Sequence, residues 1–174
     1  MALLATATGV FAYADEDRDW GLAPTREIRQ PPYSAPTPLT VPGAQTISTD
    51  ELRKLVEDAP ETLLIDVAGG ADDHLTLKGA VWMPLAGQGL HFFDPVQADT
   101  AQRLAALTGG DRLRSIVFFC VDVLCWRSYN ASLRAVALGY GSVYWYRGGF
   151  FSWREAGFPV ESLQPSPPAP EAKP

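Results

Sequence analysis

Both cysteines of the 174-residue chain lie in one short stretch, at Cys120 and Cys125, and Arg127 follows them closely. Residues 115–119, just before this stretch, are mostly apolar, β-branched or aromatic and predict a buried strand. Residues 128–138, just after it, carry apolar side chains at helical spacing. A cysteine where a buried strand ends and a helix begins faces unpaired N–H groups and the positive end of the helix dipole, which favour the reactive thiolate. The stretch therefore predicts a functional cysteine site, to which Arg127 adds a fixed positive charge.

The two cysteines also have simpler interpretations. A cysteine is often buried as a small apolar residue, and two cysteines this close in sequence can close a loop as a disulfide. Two free thiolates would instead be soft ligands that can hold Cu(I). The sequence leaves open whether Cys120 and Cys125 are reactive thiols, a disulfide, a copper site or packing residues.

The composition argues against some partners. The chain has 20 acidic and 14 basic residues, a formal net charge of −6, which disfavours nucleic acid or an anionic membrane surface as a partner. His74 and His91 lie near Asp72, Asp73 and Asp94, but the spacing does not match that of metal ligands. We therefore expect no metal site at these residues and no bound cofactor.

The first segment, residues 1–14, carries no charge and ends in Ala12-Tyr13-Ala14, which has the small-x-small form of a signal-peptidase site. An acidic stretch follows at once. These features predict an exported, periplasmic protein, in a compartment where two cysteines can pair by oxidation. A short apolar N-terminus without a signal is the alternative. Because the run is too short for a transmembrane helix, we expect no membrane span in the mature protein.

Composition divides the rest of the chain into three segments. Residues 15–42 are rich in proline and polar residues, which predicts an extended arm, and we expect Trp20 and Tyr33 to hold it to the body. Residues 162–174 are rich in proline and alanine and should be disordered. Residues 43–161 have the length and pattern of one globular domain.

Within this domain, short apolar runs alternate with amphipathic segments. The segment Ser48-Thr49-Asp50-Glu51 has the form of a capping box, which predicts a helix over about 49–58. Further helices are predicted at 99–107, at 128–138 and just after Gly148-Gly149, and strands at 62–67, 80–84, 115–119 and 142–146. The alternation predicts an α/β fold with a mainly parallel β-sheet flanked by α-helices on both faces. Ligands bind such folds at the carboxyl ends of the strands, near which Asp66 and Cys120 lie.

These segments resemble, in order, those of the rhodanese-like family. Leu64-Ile65-Asp66-Val67 resembles the first-strand signature of that family, and residues 77–84 resemble its "H-I-P-G-A-x-x-x-P" segment. The cysteine after a buried strand, Arg127-Ser128 and residues 148–153 match later parts, so the resemblance covers about residues 47–160. It implies a rhodanese-like fold with a sulfur-carrying cysteine. The candidate catalytic residues are Cys120, Cys125, Arg127 and Asp66.

A closer resemblance is to a bacterial subfamily of rhodanese-like proteins associated with PQQ-dependent alcohol catabolism. That subfamily is marked by two nearby cysteines followed by tryptophan, which here are Cys120, Cys125 and Trp126. The resemblance implies an exported protein that works with a PQQ-dependent dehydrogenase system. It also implies a redox role for the cysteine pair.

The loop between Cys120 and Arg127 departs from the family pattern. Its spacing is Cys-x6-Arg, whereas a sulfurtransferase of this family usually has Cys-x4-Arg. The candidate anion-binding loop consists of Val121, Asp122, Val123, Leu124 and Trp126 together with Cys125. β-Branched residues resist the dihedral angles of a tight anion nest, and the charge of Asp122 repels an anionic donor. We therefore expect weak thiosulfate sulfurtransferase activity.

Four functions remain open. In sulfur transfer, Cys120 attacks the outer sulfur of thiosulfate, and loop N–H groups stabilise the persulfide. In a redox role, Cys125 attacks a persulfide, sulfenate or mixed disulfide on Cys120 and leaves a disulfide. A phosphatase would use the longer loop for a larger anion. A non-catalytic binding or chaperone-like module would serve a periplasmic dehydrogenase system.

Overall fold

The computed structural model describes Tyr13, residues 15–70 and residues 74–163. Apart from Tyr13, the predicted signal segment lies outside the described residues, as do Asp72, Asp73 and all but the first two residues of the predicted tail. Within the described part of the chain, no helix is long and apolar enough to cross a membrane.

Strands and helices alternate along the described chain. The strands are β1 (Gln45–Ile47), β2 (Leu63–Asp66), β3 (Leu75–Leu77), β4 (Val81–Trp82), β5 (Ile116–Phe119), β6 (Val143–Tyr146) and β7 (Val160–Ser162). The α-helices are α1 (Thr49–Asp58), α2 (Pro95–Thr108), α3 (Trp126–Ala137) and α4 (Gly149–Glu155), with a 3-10 helix at Pro84–Gly87.

Five strands form one parallel sheet in the order β1-β6-β5-β2-β4. The central strand β5 has four apolar residues with no exposed surface, as expected of a strand covered on both faces. β3 and β7 form a separate antiparallel pair. The predicted mainly parallel α/β fold is confirmed.

Alternate side chains of β5 point to opposite faces of the sheet. Ile116 and Phe118 pack in a cluster with residues of α2 and α3, such as Leu104 and Ala131. Val117 and Phe119 pack in a second cluster with residues of α1 and α4. The helices therefore cover both faces, as predicted, and each large apolar side chain buried this way contributes roughly 1.5–3 kcal/mol.

The helix signals in the sequence are local and mostly reliable. The capping box before α1 is confirmed, because the Ser48 N–H donates to the Glu51 carboxylate at 2.8 Å and the Glu51 N–H donates to the Ser48 hydroxyl at 3.3 Å. α2 begins four residues earlier than predicted, at Pro95, because the Asp94 side chain accepts the Gln97 N–H and a proline suits the first helical position. The three-residue strands β1, β3 and β7 were not predicted, since so few residues carry no distinct periodicity.

The arm, residues 15–42, lies against the domain and is held by Arg147, which directly follows β6. The Arg147 guanidinium is 1% exposed and donates to the carbonyls of Glu16, Arg18 and Thr37 at 2.6–3.1 Å. Its Nε donates to the Thr37 hydroxyl at 3.0 Å, and its Cζ lies 4.8 Å from the centre of a Trp20 ring. Burial lowers the pKa of Arg147, although nearby acidic groups oppose this shift. The arm thus supplies the hydrogen-bond acceptors for an arginine side chain that is buried in the domain.

α3 holds the middle of the arm. Asn130 accepts the Arg29 N–H and donates to the Arg29 carbonyl, both at 2.9 Å. The Tyr129 hydroxyl accepts the Thr25 N–H and donates to the Thr25 carbonyl, both at 2.8 Å. Each of these side chains thus pairs with both the N–H and the carbonyl of one arm residue, as the backbone of a neighbouring strand would.

Candidate functional site

Cys120 directly follows the central strand β5, and Cys125 is the N-cap of α3. The helix begins two residues earlier than predicted, so Cys125 is closer to its positive end than Cys120 is. The two sulfur atoms are joined in a disulfide, with the Cα atoms 6.1 Å apart. The loop between β5 and α3 is therefore a small covalent ring at the carboxyl edge of the sheet, where ligands of parallel sheets bind.

α4 holds the Cys120 end of this loop. The Phe150 N–H donates to the Cys120 carbonyl at 2.9 Å, and the Phe151 N–H donates to the Val121 carbonyl at 3.0 Å. Gly149 has a φ of +67°, and a Cβ atom there would lie 2.6 Å from the Cys120 carbonyl oxygen. The first amides of α4 thus bind the cysteine loop itself, and this close approach requires glycine.

The arm holds the Cys125 end. Ser34 pairs with Cys125 as an isolated antiparallel bridge. The other contacts are hydrogen bonds from the Ala35 N–H to the Leu124 carbonyl at 2.9 Å, from the Trp126 N–H to the Tyr33 carbonyl at 2.8 Å, and from the Thr37 hydroxyl to the Val123 carbonyl at 2.6 Å. The two ends of the disulfide ring are thus fixed by two different parts of the chain.

Asp122 folds the middle of the loop. Its carboxylate accepts the Leu124 N–H at 2.9 Å, and its carbonyl accepts the Cys125 N–H at 3.2 Å. This is an Asx-turn, which aspartate favours. Together with the Trp126 N–H, three amides of the candidate anion-binding loop already have acceptors within the protein. In this state they are not available to a bound anion.

A cavity of about 400 Å³ opens beside the disulfide. The disulfide, Arg127, the arm and the glycine pair after β2 contribute its walls, which are lined by Pro32, Tyr33, Ser34, Gly69, Gly70, Cys120, Val121, Asp122, Cys125 and Arg127. It therefore brings together three of the four candidate catalytic residues, Cys120, Cys125 and Arg127.

Arg127 lies between the arm and the glycine pair. Its Cζ is 5.0 Å from the centre of the Tyr33 ring, in cation–π contact. A Cβ atom on Gly69 would lie 2.7 Å from that Cζ, so the guanidinium rests against the glycine backbone. Its Nη1 is buried and has no hydrogen-bond partner in the described part of the chain. A buried, unsatisfied donor costs about 1–3 kcal/mol, and an anion or water that reached it would recover part of this.

Comparison with known proteins identifies the domain. Residues 48–156 match the model of the rhodanese-like domain. The chain belongs to the rhodanese-like family. This confirms the family resemblance found in the sequence. A search among curated proteins found no match.

Solved structures share the fold. The rhodanese-like domain of the Alr3790 protein from Anabaena has a TM-score of 0.50 at 20% identity, covering 74% of this chain and 87% of that chain. A full-length protein from Lactobacillus plantarum has a TM-score of 0.51 at 21% identity, covering 68% and 88%. A thiosulfate sulfurtransferase from Pseudomonas aeruginosa has a TM-score of 0.51 at 19% identity, covering 70% of this chain and 21% of that one. At these identities the likeness shows the fold alone.

Asp66, the fourth candidate, does not line the cavity of this rhodanese-like domain. Its side chain is 2% exposed and accepts the Thr76 hydroxyl at 2.6 Å and the Ala68 N–H at 2.8 Å. His74 Nε2 lies 3.0 Å from the same carboxylate oxygen that accepts the Thr76 hydroxyl. These contacts connect the end of β2 to β3. They give Asp66 a structural role that its position in the sequence did not reveal.

Trp126 packs away from the cavity. Its indole N–H donates to the Pro36 carbonyl at 3.0 Å, and the Arg29 guanidinium lies 5.0 Å from a ring centre. The later aromatic residues of the domain are mostly core, with Trp145, Trp153 and Phe150 buried and Phe151 exposed. The tryptophan after the second cysteine therefore fastens the arm to α3.

The candidate metal ligands serve other purposes. The His91 ring accepts the Phe93 N–H, and Asp94 pairs with the buried Arg134 at 3.0 Å. Burial raises the pKa of Asp94, but hydrogen bonds from Leu90, Arg134 and Gln97 outweigh it and lower this pKa to about 2. Among the described residues, no group of three or more His, Cys, Asp or Glu side chains is placed to hold a metal ion. With both cysteine sulfurs bonded to each other, this state offers no thiolate to copper.

Proposed function

We propose that this rhodanese-like protein reduces sulfane sulfur with its cysteine pair, and that the Cys120–Cys125 disulfide is the oxidised product of the reaction. The observation that carries the proposal is the disulfide in the wall of a cavity that also contains Arg127. An ordinary sulfurtransferase needs one thiolate, whereas this site holds two sulfur atoms within bonding distance. Family membership supports sulfur chemistry.

The chemistry needs two steps. In the reduced protein, the Cys120 thiolate attacks the outer sulfur of thiosulfate, a new S–S bond forms, and sulfite leaves with the electrons of the broken bond. The Cys125 thiolate then attacks the Cys120 sulfur and expels hydrosulfide as the Cys120–Cys125 bond forms. Two thiols are oxidised and one sulfane sulfur is reduced. A small thiol or a dithiol protein must then reduce the disulfide.

The surroundings suit both steps. Arg127 provides a charge that can pair with the sulfonate group of the donor through its planar fork. The positive end of α3 lies at Cys125 and favours the thiolate form of the cysteine pair. We assign the first attack to Cys120 because it follows the central strand at the ligand-binding edge of the sheet.

A single-turnover experiment tests the proposal. The protein is reduced, freed of reductant and mixed with thiosulfate, and sulfite, hydrosulfide and protein mass are measured. We expect equal amounts of sulfite and hydrosulfide and a return to the disulfide mass. Cys125→Ser should release sulfite alone and keep one added sulfur on Cys120, whereas Cys120→Ser should release neither product. A stable persulfide on the wild-type protein would instead identify a sulfurtransferase without a resolving step.

A non-catalytic module is the second candidate function, and the burial of the disulfide favours it. Cys120 is 2% exposed and Cys125 is 8% exposed, and three loop amides are already occupied. A disulfide buried this way suits a structural loop. Failure to release sulfite from thiosulfate after verified reduction would favour this function over the redox one.

We further propose that the protein is exported and serves a PQQ-dependent alcohol dehydrogenase system in the periplasm. The Ala12-Tyr13-Ala14 sequence and the Cys120, Cys125 and Trp126 pattern support this proposal. N-terminal sequencing of protein from its host should find a mature chain that begins at about Asp15. An intact Met1 in cytosolic protein would contradict export. Deleting the gene should impair growth on alcohols but not on sugars, and equal growth on both would contradict the dehydrogenase link.

A further inference from the structure

We infer that the arm segment, residues 33–37, sets the reduction potential of the Cys120–Cys125 pair by fixing the Cys125 end of the loop. The inference extends the proposed function, on which it rests only in treating the pair as redox-active. The family match begins at residue 48, so the arm segment lies outside the matched domain.

The two cysteines are positioned independently of each other. Amides of α4 bind the carbonyls of Cys120 and Val121, which fixes the first end of the loop. The arm segment contacts the backbone of every loop residue from Val123 to Trp126, which fixes the second end. Neither set of contacts involves a cysteine sulfur. Both sets of contacts can therefore form in either redox state, and the redox state can change only how strongly the arm segment docks.

Positioning of this kind raises the effective concentration of one thiol at the other, which favours the disulfide over the two thiols. Release of the arm segment would free Cys125 and Leu124 while Cys120 stayed bound to α4. The thiols would then meet less often, and the pair would be easier to reduce. The link is reciprocal, so reduction of the pair must weaken arm docking by the same factor.

Thr37 is the positioning residue on which this coupling depends most. It is 1% exposed, and its hydroxyl donates to the Val123 carbonyl while accepting from Arg147 Nε. Its own carbonyl accepts from Arg147 as well. One buried side chain thus connects the cysteine loop, the arm and the buried arginine.

The first test is a redox titration of Thr37→Val in glutathione buffers, with free thiols counted by alkylation and mass spectrometry. We expect the equilibrium to shift toward the dithiol by about tenfold, which is about 30 mV less negative in potential. Thr37→Ser keeps the hydroxyl and should restore the wild-type value within about threefold. An unchanged potential in a folded Thr37→Val protein would overturn the inference.

The matched control is Tyr129→Phe. It also removes two hydrogen bonds between the arm and the body, but they reach Thr25 and not the cysteine loop. This variant should lose stability while its potential shifts less than about threefold. An equal shift in Tyr129→Phe and Thr37→Val would mean that the effect is general destabilisation and would also overturn the inference.

A second measurement uses the wild-type protein and does not depend on the folding of any variant. The amides of Ala35 and Trp126 both take part in arm–loop hydrogen bonds, whereas the Leu52 amide bonds within the first turn of α1. Reduction should speed hydrogen exchange at Ala35 and Trp126 by about tenfold and leave Leu52 unchanged. Equal exchange at Ala35 in both redox states would contradict the coupling. Neither measurement uses a sulfur donor, so each stands or fails separately from sulfane reduction.

Discussion

Arg127 and Arg134 are seven positions apart on α3 and lie on one side of the helix, yet their surroundings differ. Arg134 has no exposed surface, and its two terminal nitrogens donate to both oxygens of Asp94, at 3.1 and 3.0 Å. They also donate to the Gln97 side chain and to the Gln88 and His91 carbonyls. The Arg127 guanidinium lies against the Tyr33 ring and the Gly69 backbone, and its Nη1 is buried with no hydrogen-bond partner among the described residues.

The difference separates an arginine that stabilises the fold, Arg134, from one that lies at the candidate site, Arg127. The fork of Arg134 is filled by a carboxylate from the same chain, so this arginine fixes the segment before α2 against α3, although its Nε lacks a partner. Arg127 forms no ion pair with any described residue, and it lies at the cavity that contains the disulfide. A buried guanidinium nitrogen with no acceptor among the described residues can donate to an external anion.

The largest effect should come from removing the internal anion. Asp94→Ala leaves the Arg134 guanidinium buried without its carboxylate, which should lower the free energy of unfolding by about 3–5 kcal/mol. Urea denaturation of both proteins measures this loss in the free energy of unfolding. The control is Asp99→Ala, which breaks an exposed ion pair with Arg103 and should cost less than about 1 kcal/mol. Equal losses in both variants would break the contrast between scaffold and site.

The second prediction concerns Arg127. Arg127→Gln should slow sulfite release from thiosulfate by about a hundredfold, since it removes a charged donor from the proposed anion site. The free energy of unfolding should change by less than about 1 kcal/mol, because no internal ion pair is lost. Arg103→Gln serves as a surface control with normal rates. A large loss of stability with a normal rate would give Arg127 the same structural role as Arg134.

The third prediction is a pH dependence that belongs to Arg134 and its partner. The pKa of Asp94 is about 2 in the folded protein, below its ordinary value of 3.8, so its stabilisation is present above roughly pH 4. As the pH falls from about 5 to about 1, the wild type should lose about 2.5 kcal/mol more than Asp94→Ala does. Unfolding curves of both proteins at several pH values give this difference. Parallel curves would show that folding does not lower the pKa of Asp94.

The sequence predicted features that depend on local signals. The capping box at Ser48 defined the start of α1, and apolar runs located four strands of the parallel sheet. Contacts between distant backbone groups leave no such signal, which is why the bridge between Ser34 and Cys125 was not predicted. The turn made by Asp122 has a readable signal, since aspartate favours Asx-turns, but its charge was interpreted as repulsion toward a substrate.

The smallest effect should come from the aromatic neighbour of Arg127. Tyr33→Leu keeps an apolar side chain but removes the ring under the guanidinium, and cation–π contacts of this kind contribute about 0.5–1 kcal/mol. We expect the second-order rate constant for thiosulfate to fall about threefold, because a less constrained Arg127 binds the donor less well. In the Arg127→Gln background the same substitution should change nothing, since the contact no longer exists. An equal fall in both backgrounds would mean that Tyr33 shapes the cavity wall directly and does not act through Arg127.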